Sequence, residues 1–255
     1  MRITVLGKSP SWPDAGGACS GYLVEQNGYV VLLDCGNGVF SKLRRVHDYA
    51  DVEAVLISHL HADHFLDLVP FSYALIHGPR RQPGDARARL HVPAGGRELL
   101  RRVVGNWGNE DLIETAFEVR EYDVGRGLEL GPLRVRLRQV PHFAPTFAVD
   151  LSTGEGRFTY SADCGPNDGL VELAQRTDLL LIEATLLVPE PDGERGHLTA
   201  REAGEHGRRA GARRVVLTHV SDELDADRVV AEASEGYGAA VELAREGAVY
   251  EVGRS

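Results

Sequence analysis

The chain has 255 residues, 43% of them hydrophobic and 26% charged, and its formal net charge is −10. The composition is ordinary for a globular protein, and the acidic balance disfavours binding to nucleic acid or to anionic membranes. No apolar run is long enough for a signal peptide or a membrane span. The three cysteines, Cys19, Cys35 and Cys164, lack the spacing of a disulfide framework or a four-cysteine zinc site. We therefore expect a single domain over residues 1–255, located in the cytoplasm.

The first half of the chain alternates predicted strands and helices. Apolar runs rich in Val, Leu and Ile predict strands over residues 3–7, 21–25 and 29–34, with a hairpin turn at Asn27-Gly28. A helix is predicted over 43–49 and a short buried strand over 54–58. Two more helices are predicted over 67–77 and 97–107.

The second half opens with a predicted antiparallel meander, with strands over 117–122, 133–140, 146–151 and 157–161. Helices over 170–176, 199–210 and 225–234 then alternate with strands over 179–182, 215–218 and 248–252. The second of these helices has a capping box, Thr199 with Glu202, and Gly211 as its C-cap. Sheets in the middle with helices outside both give an α+β fold, a four-layer αββα sandwich.

The run His59-Leu60-His61-Ala62-Asp63-His64 directly follows the predicted strand over 54–58. On an extended loop, His59 and His61 point the same way and can chelate one metal ion. Asp63 and His64 point apart and reach a second ion nearby. Imidazole and carboxylate together suit zinc and similar divalent ions. Three histidines and one aspartate within six positions favour a metal site over a solvated loop.

Further ligand-type residues follow other predicted strands. His142 follows the strand over 133–140, Asp163 the strand over 157–161, and His219 the strand over 215–218. Each alone is as typical of a polar strand end as of a ligand. Together with the histidine run, they predict a centre for two metal ions.

These motifs resemble the metallo-β-lactamase superfamily, whose signature is His-x-His-x-Asp-His. Glu183-Ala184-Thr185 and His197-Leu198-Thr199 resemble the Glu-Ala-Thr and His-x-Thr motifs of its ribonuclease Z-like branch. The resemblance extends from Met1 to about Val252. Within the branch, the segments at residues 2–7 and 20–23 are similar to small bacterial proteins that resemble cyclic-nucleotide phosphodiesterases.

The resemblance implies a role for each matching residue. A first metal ion would be bound by His59, His61 and His142, and a second by Asp63, His64 and His219, with Asp163 bridging both. The catalytic set would be Asp63, His197 and Glu183. In that set, His197 is the general acid and Glu183 orients it. Zn²⁺ is the expected ion, although Mn²⁺ and Fe²⁺ suit the same ligands.

Two details of the sequence qualify this picture. The family often has Gly and Thr beside the bridging aspartate, where this chain has Ala162 and Cys164. A catalytic cysteine is the sharper interpretation, and a small buried side chain under the site is the one we favour. Phe143, Phe65 and Tyr22 are candidates for a substrate pocket wall.

The implied reaction is hydrolysis of a small phosphodiester, a 3′,5′-cyclic nucleotide being the leading case, by a metal-bound hydroxide. The competing hypothesis is a tRNA 3′-end endoribonuclease of the ribonuclease Z type. Those enzymes carry a long arm between the third histidine ligand and the bridging aspartate. Only 21 positions separate His142 from Asp163.

The sequence gives little support to nucleic-acid contact, to the lactamase and thioesterase branches of the superfamily, or to a role without catalysis. We interpret the arginine-rich stretch over residues 80–89 as a solvated loop. The lactamase and thioesterase branches lack the Glu-Ala-Thr and His-x-Thr pair, and a non-enzymatic metal-binding module has no need of His197 and Glu183. The expected partner is the small phosphodiester, with no nucleic acid or membrane. Dimers are common in this branch, so a homodimer stays open.

Overall fold

The computed structural model describes residues 1–80, 86–191 and 193–253. Its strands are β1 (Arg2–Gly7), β2 (Gly21–Gln26), β3 (Tyr29–Leu33), β4 (Ala54–Leu56), β5 (Arg89–Val92), β6 (Glu118–Glu121), β7 (Leu128–Leu130), β8 (Leu133–Val140), β9 (Thr146–Ser152), β10 (Arg157–Tyr160), β11 (Leu179–Glu183), β12 (Val215–Thr218), β13 (Glu242–Leu243) and β14 (Val249–Glu251). Its helices are α1 (Val39–Val46), α2 (Ala62–Phe65), α3 (Leu68–His77), α4 (Gly96–Gly105), α5 (Leu112–Ala116), α6 (Asp168–Leu173), α7 (Ala200–Ala210) and α8 (Ala226–Tyr237), with a 3-10 turn over Tyr49–Asp51.

The described strands form two mixed sheets. The first has the order β14-β1-β2-β3-β4-β5-β6 and the second the order β13-β12-β11-β10-β9-β8-β7. In the first sheet, β3, β4, β5 and β6 run parallel to one another. In the second, β10, β11 and β12 are parallel, and β9 pairs antiparallel with both β8 and β10. The strand β14 returns from the end of the described chain to pair with β1.

Side chains of the central strands are apolar on both faces because both faces of each sheet are covered. Leu32 packs under the helices that cover the first sheet, whereas Leu33 packs between the two sheets. In the same way, Leu181 packs between the sheets and Leu180 under α6, α7 and α8. Successive residues of a strand point to opposite faces, so each such strand contributes to two of the three apolar layers. The expected α+β, four-layer αββα sandwich is confirmed.

Most predicted helices and strands are present with small shifts at their ends. The capping box of α7 forms as expected, and Gly211 ends that helix in the left-handed conformation. The first helix is an exception, since α1 begins four residues earlier than predicted, at Val39. The predicted strand over 117–122 was placed wrongly. It forms β6, which pairs in parallel with β5 in the first sheet and does not join the meander.

Among the described residues, no helix combines the length and apolar character needed to cross a bilayer. In the basic stretch over 80–89, residues 81–85 lie outside the described residues. Arg80 is exposed and lies 3.4 Å from Asp48, and Arg89 donates to the hydroxyl of Tyr29.

Candidate metal centre

The predicted ligand residues lie just beyond the carboxyl ends of strands from both sheets. The run from His59 follows β4, while His142, Asp163 and His219 follow β8, β10 and β12. Ligands of layered α/β sheets commonly lie at such strand ends. The prediction that residues 59–64 form an extended loop is wrong in one respect. The chain turns into the short helix α2 directly after His61, so that Asp63 is helical.

The first group of side chains consists of His59, His61 and His142. The Nδ1 atom of His61 lies 3.2 Å from Nε2 of His59 and 3.0 Å from Nε2 of His142. Two ligands about 2.1 Å from one tetrahedral zinc ion lie roughly 3.4 Å apart. The three nitrogens therefore have the spacing of ligands that share one ion.

The second group consists of Asp63, His64, Asp163 and His219, all of them buried. The expectation that Asp63 and His64 point apart is wrong, since Oδ2 of Asp63 lies 3.3 Å from Nε2 of His64. Among the described residues, neither Nε2 of His64 nor Oδ1 of Asp163 has a hydrogen-bond partner. Leaving buried polar atoms unpaired costs about 1–3 kcal/mol each, so this donor set fits a bound metal ion.

Asp163 belongs to the second group and also lies close to the first. Its Oδ2 atom is 3.3 Å from Nε2 of both His64 and His219, 3.8 Å from Nε2 of His59 and 3.9 Å from Nε2 of His142. A carboxylate in this position can be shared by two ions. Burial raises the pKa of Asp163, but its interactions with His219 and His64 outweigh burial and hold the pKa well below the usual range.

Four of the histidines use their second ring nitrogen to fix the orientation of the ring. The Nδ1 atoms of these histidines bond to Oγ of Ser58 (His59, 3.2 Å), Oδ2 of Asp34 (His64, 2.8 Å), the carbonyl of Gly196 (His142, 2.8 Å) and Oγ1 of Thr185 (His219, 2.8 Å). Such bonds select the tautomer whose Nε2 is free to bind metal. The histidines follow a recognisable sequence pattern, whereas no local pattern marks Ser58, Asp34 and Thr185 as their partners.

The backbone turns sharply at three positions around the centre. Asp34, Ala162 and His219 have φ angles of 58°, 52° and 57°, in the left-handed region that favours glycine. Ala162 stands where the family often has glycine, so a small residue at a left-handed turn explains that preference. Strained turns of this kind are concentrated at functional sites, where the surrounding structure holds them.

His197 and Glu183 form a pair beside both groups. Nδ1 of His197 donates to Oε1 of Glu183 at 2.8 Å, and its ring lies 4.9 Å from the ring of His142 and 5.6 Å from that of His219. Burial lowers the pKa of His197, but the hydrogen bond and charge of Glu183 outweigh burial and raise the pKa to about 9. The imidazole is therefore held in the protonated form that a general acid requires.

Glu183 is itself fixed by several donors. It accepts hydrogen bonds from the backbone N–H groups of Cys164, Thr185 and Leu198 and from Oγ1 of Thr185. Cys164 contributes its backbone here, while its thiol is buried and burial raises the pKa of that thiol well above the usual range. A thiol in this state is a poor nucleophile.

Of the three candidates for a pocket wall, two are wrong. Tyr22 is wholly buried between the sheets and Phe65 is buried under the helices of the first sheet. Phe143 is 58% exposed, and its ring lies 5.2 Å from the ring of His142 and 6.0 Å from that of His197.

Comparison with known proteins places the chain in a family. Residues 29–220 match the family described as the beta-lactamase superfamily domain. The probable metallo-hydrolase YhfI of Bacillus subtilis is 27% identical over 251 residues, covering 98% of this chain and all of that protein. The ribonuclease Z of Halorubrum lacusprofundi is 28% identical, covering 99% of this chain and 97% of that protein.

Solved structures agree with this placement. The crystal structure of the metallo-beta-lactamase fold protein YhfI from Bacillus subtilis matches with a TM-score of 0.87 and 26% identity, covering 98% of both chains. The short form of human tRNase Z, at 22% identity and a TM-score of 0.77 over 99% of both chains, shares the fold. The chain therefore belongs to the beta-lactamase superfamily and is a metallo-hydrolase of its ribonuclease Z-like branch.

Proposed function

We propose that the chain is a phosphodiesterase that hydrolyses a small phosphodiester, with a 3′,5′-cyclic nucleotide as the leading case. The observation that carries this proposal is the pair of His197 and Glu183, 2.8 Å apart and beside both ligand groups. Binding metal does not require this pair. Expelling an alkoxide from phosphorus does require a proton donor at that place.

The residues that would hold the metal ions are His59, His61 and His142 for one, and Asp63, His64 and His219 for the other, with Asp163 shared. When bound, two divalent ions supply an activated water near neutral pH and neutralise charge on the phosphate oxygens. Zinc suits this mixture of imidazole and carboxylate, and manganese or iron fits the same set.

The chain's own contribution to the reaction is proton transfer. Nδ1 of His197 is occupied by Glu183, so the proton available to substrate is the one on Nε2. In the proposed reaction this proton passes to the leaving alkoxide oxygen. The carboxylate of Glu183 stabilises the protonated ring and keeps its direction, as the acidic residue of a hydrolytic triad does.

A small substrate is favoured by the interval between His142 and Asp163. It contains the antiparallel hairpin of β9 and β10, which continues the sheet, and leaves no room for an inserted arm. The alignment with the Halorubrum ribonuclease Z extends over 305 positions, whereas this chain has 255 residues. That relative therefore carries segments that this chain lacks. The net charge of −10 also disfavours a polyanion such as tRNA.

To test this proposal, the protein is loaded with Zn²⁺ or Mn²⁺. The rates at which it cleaves cyclic AMP, cyclic GMP, bis-p-nitrophenyl phosphate and a precursor tRNA are then compared. His197→Ala is expected to lower kcat about a hundredfold to ten-thousandfold, with the metal content by elemental analysis unchanged. His77→Ala, at an exposed position on α3, is the matched control and should keep full activity. Absence of any phosphodiester cleavage by the metal-loaded protein would refute the proposal. Cleavage of precursor tRNA as fast as cyclic AMP would refute the preference for small substrates.

A further inference from the structure

Phe143 is a large aromatic side chain that the fold leaves exposed at the edge of the metal centre. The residue before it, His142, turns its ring into the first ligand group, whereas the ring of Phe143 is 58% exposed. Burial of an apolar side chain stabilises a folded protein in proportion to the area removed from water. The exposed face of Phe143 therefore gains little from folding and is available to a ligand.

The ring is nevertheless held in place from below. It lies on the backbone of Gly196, where a Cβ atom would overlap the Cδ2, Cε2 and Cζ atoms of the ring. The carbonyl of Gly196 accepts the 2.8 Å hydrogen bond from Nδ1 of His142. The Cδ2–Cε2–Cζ side of the ring is thus seated on the segment that positions both His142 and His197, and more than half of the residue stays exposed.

The loop that contains Gly196 exposes apolar side chains, and its arginine is already engaged. Leu187 and Val188 are 39% and 67% exposed, and the neighbouring Leu186 bonds through its N–H to the carbonyl of Leu198 at 3.0 Å. Arg195, the one lysine or arginine in the sequence from 186 to 198, forms two hydrogen bonds to Glu202 and one to Glu190. Besides His197, this loop therefore presents exposed apolar side chains, and its arginine is engaged in ion pairs.

From these observations we infer that the exposed face of Phe143 stacks on the base of a nucleotide whose phosphodiester occupies the metal centre. This rests on the proposed function and names the feature that selects the substrate. The ring centroid lies 5.2 Å from the ring of the ligand His142, a gap that a ribose can span between phosphate and base. Aromatic side chains stack on any base because every base has a π face, and the larger purines overlap most.

Phe143 is thus a specificity-determining residue and takes no part in proton transfer. Stacking stabilises the bound substrate and the transition state equally, so its loss raises KM and leaves kcat unchanged. Phe143→Ala is expected to raise KM for cyclic AMP roughly tenfold to a hundredfold. Phe143→Trp should keep KM near the wild-type value, and Trp107→Ala, at another exposed aromatic residue, should change neither constant.

The decisive substrate is the base-free counterpart, methyl ribofuranoside 3′,5′-cyclic phosphate, followed by phosphorus NMR. Its kcat/KM should be the same in wild type and Phe143→Ala, because it has no base to stack. An equal loss on both substrates, or a fall in kcat, would mean that Phe143 acts by supporting His142 and His197, and the inference would be overturned.

A binding measurement separates this inference from the proposed function. In Phe143→Trp the introduced indole should be quenched by AMP and not by ribose 5-phosphate, beyond the change seen in wild type, which has two tryptophans of its own. If no cyclic nucleotide is cleaved but this quenching occurs, the proposed function fails and base stacking stands. If AMP and ribose 5-phosphate quench the indole equally, the base-stacking inference is wrong, whether or not the protein cleaves cyclic nucleotides.

Discussion

At the scale of single residues, two carboxylates organise the centre in the same way. Asp34 accepts a hydrogen bond from His64 at 2.8 Å and, through the hydroxyl of Ser58, also holds His59. Glu183 accepts from His197 and, through the hydroxyl of Thr185, holds His219. Each carboxylate thus fixes one ring directly and a second ring through a hydroxyl group. Partners of this kind set the direction and basicity of metal-binding histidines.

Asp34→Asn tests this role. The amide cannot accept from Ser58 and His64 as the carboxylate does, so metal affinity is expected to fall about tenfold to a hundredfold. The affinity is measured by competition with a chromophoric zinc chelator. The matched control is Asp150→Asn, since Asp150 is equally buried but bonds to Arg136 and Arg157 on β8 and β10. Unchanged affinity in Asp34→Asn, or an equal loss in Asp150→Asn, would contradict the prediction.

Residues of this type could not be predicted from the sequence. His59 and His61 are close in the chain, so their spacing alone indicates that they bind the same metal ion. Asp34 and His64 are 30 positions apart, and their contact depends on the parallel pairing of β3 with β4. Neither periodicity nor a local motif reports such a pairing, because one partner lies outside any window in which spacing has meaning.

At the scale of elements, too, features with a local sequence signal could be predicted, and features that depend on pairing with a distant segment could not. The long apolar runs and the capped helix α7 carry their own signals, and they appeared close to the predicted places. The short strands β5, β7 and β13 were missed, since two to four residues show no periodicity and, unlike β4 and β12, these strands contain no unbroken apolar run. The sheet to which β6 belongs was predicted wrongly because its partner β5 was not recognised.

Two glycines in helices allow a prediction about packing. A Cβ at Gly204 in α7 would overlap the backbone carbonyl of Ala233 in α8, whereas a Cβ at Gly105 in α4 would meet only ordinary contacts. Gly204→Ala should therefore force the two helices apart and lower the free energy of unfolding by about 1–3 kcal/mol. Gly105→Ala should raise it by about 0.5–1 kcal/mol through helix propensity.

Urea unfolding curves measure both changes in the free energy of unfolding, as shifts of the midpoint at constant slope. If both substitutions shift the midpoint in the same direction, the close approach of α7 and α8 is not what requires glycine at position 204.

At the scale of the whole molecule, the candidate metal centre draws its residues from both sheets. His59, His61, Asp63 and His64 follow a strand of the first sheet, whereas the remaining candidate ligands, His142, Asp163 and His219, follow strands of the second. The seam between the sheets is otherwise held by apolar packing and by bonds such as the 2.6 Å contact of Tyr22 with Thr218. Any ion that binds both sets of ligands therefore binds the folded arrangement of both sheets and not the unfolded chain.

Metal removal should consequently lower the thermal stability of the whole molecule. Ions at a hundred times their Kd stabilise the folded state by about 2.7 kcal/mol, which corresponds to a Tm difference of roughly 5–10 °C for a chain of this size. Differential scanning fluorimetry of chelator-treated protein, titrated with Zn²⁺ or Mn²⁺, measures this difference. The Tm should rise with metal concentration, and the protein should unfold in one transition with no separate step for either sheet.

Asp163→Asn alters the residue shared by the two groups, so it should lose most of the metal-dependent rise in Tm. Asp227→Asn, on the exposed start of α8, should keep that rise. A Tm that does not depend on metal in the wild-type protein, or an undiminished rise in Asp163→Asn, would show that the centre does not link the two sheets.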